Sequence, residues 1–580
     1  MKNIKYREIR IWILLMLSVV NSSLQAQSIQ HTTYCNPLNI DYTYMIFNAH
    51  QGMSYRSGAD PAVVEFRGEY YMFVTRSMGY WHSNDLLNWH FIKPQNWYFS
   101  GSNAPAAFNY KDSILYVAGD PSGSMSIIYT DDPKAGKWNA VPSILHNLQD
   151  PALFIDDDEQ SYIFWGSSNV YPIRARKLDK NIRFKPDDEV HELFNLDMEK
   201  HGWERFGHNH ADTVLGGYIE GPWLTKRNGK YYMQYAAPGT EFNVYGDGVY
   251  MADHPLGPYS YAPNNPVVYK PGGYANGAGH GSLVIGPQNQ YWHFGSAALA
   301  LHVGWERRIA MYPVYFDNDD LMYSNTAFGD YPHYAPGIPE KAGSFTGWML
   351  LSFKKPVNAS SHAAEHGPEH VVDENIKSYW LAEGKGKDEW LEIDLEDLSN
   401  VYAIQVNYQD HDSKMFGRIP GLYHRYTIEG STDRKNWEII VDRSNNFRDV
   451  PNDYVELGGP RKIRYVRFKN LHVPTPHLAI SGIRVFGKGD GKVPATVKEI
   501  EVNRQADRRD VHISWRQQEN VQGYNVYWGI APDKLYNSWL VYDKNELEMK
   551  NLNVDQEYWF AIEAFNENGV SKKSKLIKTE

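Results

Sequence analysis

The chain has 580 residues, with 58 Lys and Arg against 69 Asp and Glu, for a formal net charge of -11 and a pI near 6.1. That balance, without a dense Lys/Arg run, excludes a nucleic-acid partner, because phosphate binding needs a basic face. Aromatics at 14% of residues, with 42 Tyr and 18 Trp, favour β-sheet over helix bundles, and the length predicts about two to four domains.

At the N-terminus, Lys2, Lys5 and Arg7 precede the nearly continuous apolar run Ile11 to Val20, and small polar residues fill 21–26. This series predicts a secretory signal peptide over 1–26, cleaved after Ala26. The run is short for a membrane span, and no later segment approaches about 18 apolar residues, so no integral membrane protein is expected. Cys35, the only cysteine, lies beyond the cleavage point and can form no internal disulfide, which also argues against a lipid anchor. Export without disulfides predicts a periplasmic or secreted bacterial protein.

Residues 34–336 carry one pattern five times. Ser57 to Thr75 sets it: a turn with a small or acidic residue, a short apolar strand, a polar turn and a Tyr-rich strand. The later copies open at Ala104, Asp150, Glu220 (one place before its Gly-Pro) and His280. A second half follows several of them, as in Tyr80 to Trp89, which reads as a strand, an Asx turn and a Trp opening the outer strand. Four strands per unit and five units predict a five-bladed β-propeller, whose inner strands converge on the axis. Asp60, Asp150, Glu220 and His280 should therefore cluster. Between the third and fourth copies the spacing stretches, and the excess includes Glu199 to His210. The pair His208 and His210 suggests zinc, but without a nearby third ligand the segment reads better as a rim shaping a pocket.

Beyond the Pro-rich stretch at 331–339 the pattern changes to short alternating strands. They predict a β-sandwich over 345–488 and a second over 494–580, making the whole chain all-β. In the first, Lys354 to Ser361, Asp373, Trp380, Glu429 to Asp433, Trp437 and Ile483 to Phe486 resemble a discoidin-type (F5/8 type C) domain. In the second, Trp515, Gly523 to Trp528 and Tyr558 to Phe565 resemble a fibronectin type III domain, with Trp515 as core tryptophan and Tyr558 as corner tyrosine. A spacing or docking role is expected of this last module.

Two carboxylates facing each other across a sugar define glycoside hydrolysis, one ionised and one protonated, and a third can raise the acid's pKa. Asp60, Asp150 and Glu220 supply that number at equivalent positions. Three blocks, Ala59-Asp60-Pro61, then Gln149 to Phe154 with Asp156 to Asp158, then Glu220 to Leu224 with Asn228 to Tyr232, resemble the signatures of glycoside hydrolase family 43. The resemblance implies an inverting mechanism with Asp60 as general base, Glu220 as general acid and Asp150 tuning the acid. It also implies, through Gly279 to Ser282, a calcium or sodium ion at the axis with His280 as ligand, and an arginine on the substrate, here Arg307. Trp81 is a candidate for stacking on the sugar, with core packing as the alternative. No organic cofactor is expected.

The expected activity is exo-acting cleavage of plant-type polysaccharide or oligosaccharide, first as an α-L-arabinofuranosidase, then as a β-xylosidase or exo-β-galactanase. The related fructan-active group fits poorly, because Gln149 replaces an arginine before the second Asp-Pro and Gly221 replaces a cysteine after the acid. A non-catalytic glycan-binding propeller is the alternative of another class; a missing carboxylate would favour it, and none is missing.

Overall fold

The computed structural model describes residues 32–45, 52, 54–119, 124–182, 184–212 and 214–579. The expected signal peptide, 1–26, lies outside them. Among the described residues the regular structure is all β apart from short 3-10 turns, and no helix is long and apolar enough to cross a membrane.

Five antiparallel sheets follow one another along the chain. Their first strands are Ala62–Phe66, Asn103–Tyr110, Ala152–Ile155, Ile219–Arg227 and Asn276–Ile285. Each touches the next, and the fifth touches the first, so the ring of a five-bladed propeller closes. Local chemistry makes the hairpins. Arg67-Gly68 and Asn228-Gly229 put both loop residues at positive φ, the two-residue turn whose twist matches flanking strands. Between blades the aromatics interlock: Phe73, Tyr80, Phe99, Tyr116 and Trp138 form one cluster, and Trp89 meets Phe294 edge-on at 5.9 Å. Ring closure is reinforced at the chain's entry, where Thr33–Tyr34 pairs with His333–Tyr334. The Asn36 amide there donates to the carbonyls of Met311 and Gly329, and its oxygen accepts the Met311 N–H.

Next comes a sandwich built on two long strands, Trp390–Tyr408 and Asn452–His472. The alternation suggests two separate strands over 389–408. Instead one strand runs through the polar 396–400 stretch, its pairing with the second long strand interrupted between Asp394 and Ser399 and shifted between Val401 and Ala403, so one sheet folds over the core. The last sandwich faces the sheet of Glu501–Arg504, Val511–Ser514 and Glu546–Met549 with that of Gly523–Gly529, Asn537–Tyr542 and Tyr558–Asn566. Trp515 lies in its core, and the Tyr558 hydroxyl accepts the Asn553 N–H, the bond a corner tyrosine makes.

The three parts share a core. Cys35, Phe328 and Tyr331 of the propeller pack with Met349, Leu350, Ala403 and Phe486 of the middle part and with Leu540 and Phe565 of the last. Beside them Arg484, fully buried, grips Glu374 through two bonds of 2.9 Å and donates to the Asp330 carbonyl, while Lys270 pairs with Asp330 at 3.3 Å. A second buried bridge joins Arg56, four residues before Asp60, to Asp410 at 2.7 Å and Asp449 at 2.9 Å. Removing one partner of such a group leaves uncompensated charge in a dry site. Arg484→Met should therefore cost about 3–5 kcal/mol, read as a lower denaturant midpoint in one transition. A second, separate transition would show that the parts unfold independently.

Candidate active site

Each of the five inner strands has one unusual residue just before it or within its first five residues. Asp60, Ala104, Asp150, Gly221 and His280 all lie in the left-handed region, with φ of 53°, 42°, 50°, 60° and 50°. Non-glycine residues pay for that conformation, and it gathers at functional sites. In the fourth blade the position is held by Gly221, and Glu220 stands one residue earlier. Here glycine is required: a Cβ at 221 would lie 2.6 Å from the His280 ring.

These starts line one cavity of about 490 Å³, whose wall includes Asp60, Asp150, Glu220, His280 and Arg307. Asp60 accepts from Thr75 Oγ1 at 2.6 Å and from Arg307 Nη1 at 3.1 Å, and its N–H donates to Ser296 Oγ in the fifth blade. Glu220 accepts from the Tyr245 hydroxyl at 2.5 Å and from Ser167 Oγ at 3.2 Å. Ser167 is placed by the short strand Ser167–Ser168, which pairs with Ile219 and Glu220. His280 sits among the acids, with Nδ1 3.6 Å from Asp60 and 3.9 Å from Asp150. Asp247 anchors it from below, accepting the N–H groups of His280 at 2.8 Å and Gly281 at 3.2 Å.

Protonation divides the carboxylates. Burial pushes Asp60 up, but Arg307, His280 and the hydrogen bonds from Thr75 and Ser296 outweigh it and hold the group below the usual aspartate range. Burial raises Asp150 to about 7, opposed by His280 and reinforced by Glu220 and Asp60. Glu220 is also raised, by burial first and by Asp60, against His280 and Tyr245. Asp150 and Glu220 thus titrate as a pair that keeps a proton where Asp60 has lost its own. His280 is raised despite burial by Asp60, Asp150, Glu220 and Asp247, which favours the imidazolium.

The cavity assembles Asp60, Asp150, Glu220, His280 and Arg307 but not Trp81. Trp81 packs in the core and offers no face to a sugar: it is 1% exposed, among Val63 and Phe294, and its Nε1 donates to Asp41. The exposed aromatic is Trp305, 52% accessible on the cavity wall, joined by Phe206 and Tyr218. Phe206 belongs to the segment read as a rim. The zinc alternative there fails, because both His210 nitrogens are engaged, with the Arg205 carbonyl and the Tyr269 hydroxyl.

Asp150, Glu220 and His280 bring ligand atoms within 4.8 Å of one another. As a calcium or sodium cage the trio fits poorly. A hard cation wants six to eight oxygens, and the trio offers two carboxylates and one ring nitrogen. Sequence reasoning missed Thr75, Ser167, Thr240 and Tyr245. Their only signal is adjacency to the blocks, as with Thr75 at the end of the first repeat.

Residues 54–322 match the model for glycosyl hydrolases family 43, and residues 356–484 match that for the F5/8 type C domain. A β-D-galactofuranosidase of Aspergillus niger is 24% identical over 268 residues, 40% of this chain and 72% of that protein. A xylan 1,3-β-xylosidase of a Vibrio species is 28% identical over 258 residues, 39% of this chain and under half, 45%, of its own length. A solved family 43 protein of Bacillus licheniformis aligns over 91% of this chain and 98% of its own, with 13% identity and a TM-score of 0.41.

Two substitutions probe this geometry. Gly221→Ala should push His280 out of place and lower kcat/KM by about 100-fold or more, with the far-ultraviolet circular dichroism unchanged. Tyr245→Phe, which removes one bond to Glu220, should lower kcat by about tenfold.

Proposed function

We propose that the protein, whose residues 54–322 match the family 43 glycosyl hydrolase model and 356–484 the F5/8 type C model, is an exo-acting, inverting glycosidase, first of all an α-L-arabinofuranosidase. The observation that carries this is the unequal setting of three carboxylates on one cavity: Asp60 is bonded to Arg307 and Thr75, which hold it below the usual aspartate range, while Asp150 and Glu220 are buried beside one another and pushed up. Inversion needs that division. Asp60 takes a proton from a water as it attacks the anomeric carbon, and Glu220 protonates the departing oxygen. Asp150 and Glu220, buried side by side, hold between them the proton that Glu220 donates, and Arg307, bonded to both Asp60 and Thr240, fixes the base and faces the sugar. No step needs a metal.

A single cavity of about 490 Å³ suits chain ends and side branches better than the middle of a polymer. The two relatives are named a galactofuranosidase and a xylosidase. Arabinofuranose joins the five-membered ring of the first sugar to the five carbons of the second. β-D-Galactofuranose has the ring configuration of α-L-arabinofuranose with one more exocyclic carbon, so it is the second reading; β-xyloside and β-galactoside follow. The leader pattern supports export to the periplasm or beyond, with plant-type polysaccharide or oligosaccharide as substrate.

The test is hydrolysis of aryl α-L-arabinofuranoside, β-D-galactofuranoside, β-D-xyloside and β-D-galactoside by wild type, Asp60→Asn and Glu220→Gln. One glycoside should be cleaved and both variants should lose about 10²–10⁴-fold. Glycan binding without cleavage would favour a binding propeller, and full activity in the variants would sink the site. The pH profile of kcat/KM should be a bell. Its acid limb, where Asp60 gains a proton, falls below the usual aspartate range, and its alkaline limb, where the pair loses its proton, falls near 7. Trp305→Ala should raise KM by about tenfold if the exposed ring stacks on sugar.

A further inference from the structure

We propose that the last sandwich, residues 494–579, is a working part of the active site: it positions the cavity wall on the Glu220 side, through Arg205 and its acidic partners Asp507 and Asp510. The sandwich grips the segment 198–205. Gly202 donates to the Leu552 carbonyl at 3.0 Å, Val554 donates to Lys200 at 2.9 Å, and Arg509 donates to the Met198 carbonyl at 2.7 Å. The approach is so close that a Cβ on Gly202 would lie 2.7 Å from the Leu552 oxygen. Arg205 closes the grip, reaching Asp507 at 3.3 Å and also Asp510 and the Lys550 carbonyl.

Arg205 immediately precedes Phe206, which faces the cavity. From there the contacts are continuous. The Phe206 ring lies against Tyr218, centroids 6.2 Å apart and nearly parallel; the Tyr218 hydroxyl meets Ser167 Oγ at 3.1 Å; and Ser167 donates to Glu220. A second route arrives at the same carboxyl. Val244 and Tyr269 of the propeller are buried in the sandwich's own core with Trp528 and Trp539, and the residue after Val244 is Tyr245, whose hydroxyl bonds Glu220. Both oxygens of Glu220 therefore receive hydrogen bonds from elements that the sandwich braces. A module that merely spaced or tethered the enzyme would not take into its own core a residue from the turn that carries Tyr245.

The kinetic consequence rests on the glycosidase reading; the mechanical one does not. The test uses the full chain carrying Asp507→Asn with Asp510→Asn, and separately Arg205→Lys. Hydrogen exchange is followed over 203–220, and KM and kcat are measured on the glycoside that wild type cleaves. In the double variant exchange over 203–220 should quicken while that over 62–92 stays as in wild type. KM should rise about tenfold with kcat within about threefold, and Arg205→Lys, which keeps charge but loses the fork, should fall between. Unchanged KM, with or without a lower unfolding midpoint, would overturn the proposal and leave the sandwich a stabilising role alone. If wild type cleaves no glycoside, the functional reading fails, and exchange decides this one: faster over 203–220 supports it, unchanged overturns it.

Discussion

Carboxylates taken out of water repel one another, and Asp60, Asp150 and Glu220 could not line one small cavity, with Asp247 buried behind His280, without counter-charge. His280 and Arg307 supply it, and their placement is unequal. Arg307 bonds Asp60 directly, while His280 stands 3.6 Å from Asp60 and 3.9 Å from Asp150. The unequal charge makes one acid strong and leaves a weak pair beside it. The ring of five blades exists, in this sense, to bring four carboxylates and two cations to a common point.

Backbone conformation does the aiming. Every inner strand has a left-handed residue just before it or within its first five residues, and in four blades that residue is not glycine. The fourth blade spends the position on Gly221, which lets the His280 ring come close and moves its acid one residue back. Bulges just inside the strands, between Glu220 and Trp223 and between Gly279 and Ser282, then return each chain to regular pairing.

The blade repeat was legible because its chemistry is local: Asp-Pro or Gly-Pro turns, apolar pentads and Tyr-rich returns recur at readable spacing. The carboxylates and His280 were legible for the same reason, since equivalent positions in a closed ring must converge. Trp81 was ambiguous because an aromatic after a hairpin can face either the sugar or the next blade; its bond to Asp41, far off in sequence, decides for the core. Ser167 and Tyr245 were hidden because they come from positions the repeat does not share. The docking of the last sandwich was hidden too. Its contacts join residues about 300 apart, and nothing in the run from Glu199 to His210 announces that Gly202 is small in order to admit a neighbouring carbonyl.

Cys35 has a practical side. Its sulfur is buried where the three parts meet, within 3.3 Å of the Asp330 carbonyl, and burial pushes the thiol up to about 12. A thiol so placed stays protonated and out of reach of alkylating reagents. A single cysteine introduced on the surface would therefore be the one reactive handle on the folded chain, and a fluorophore or spin label could be attached there without first removing the native residue.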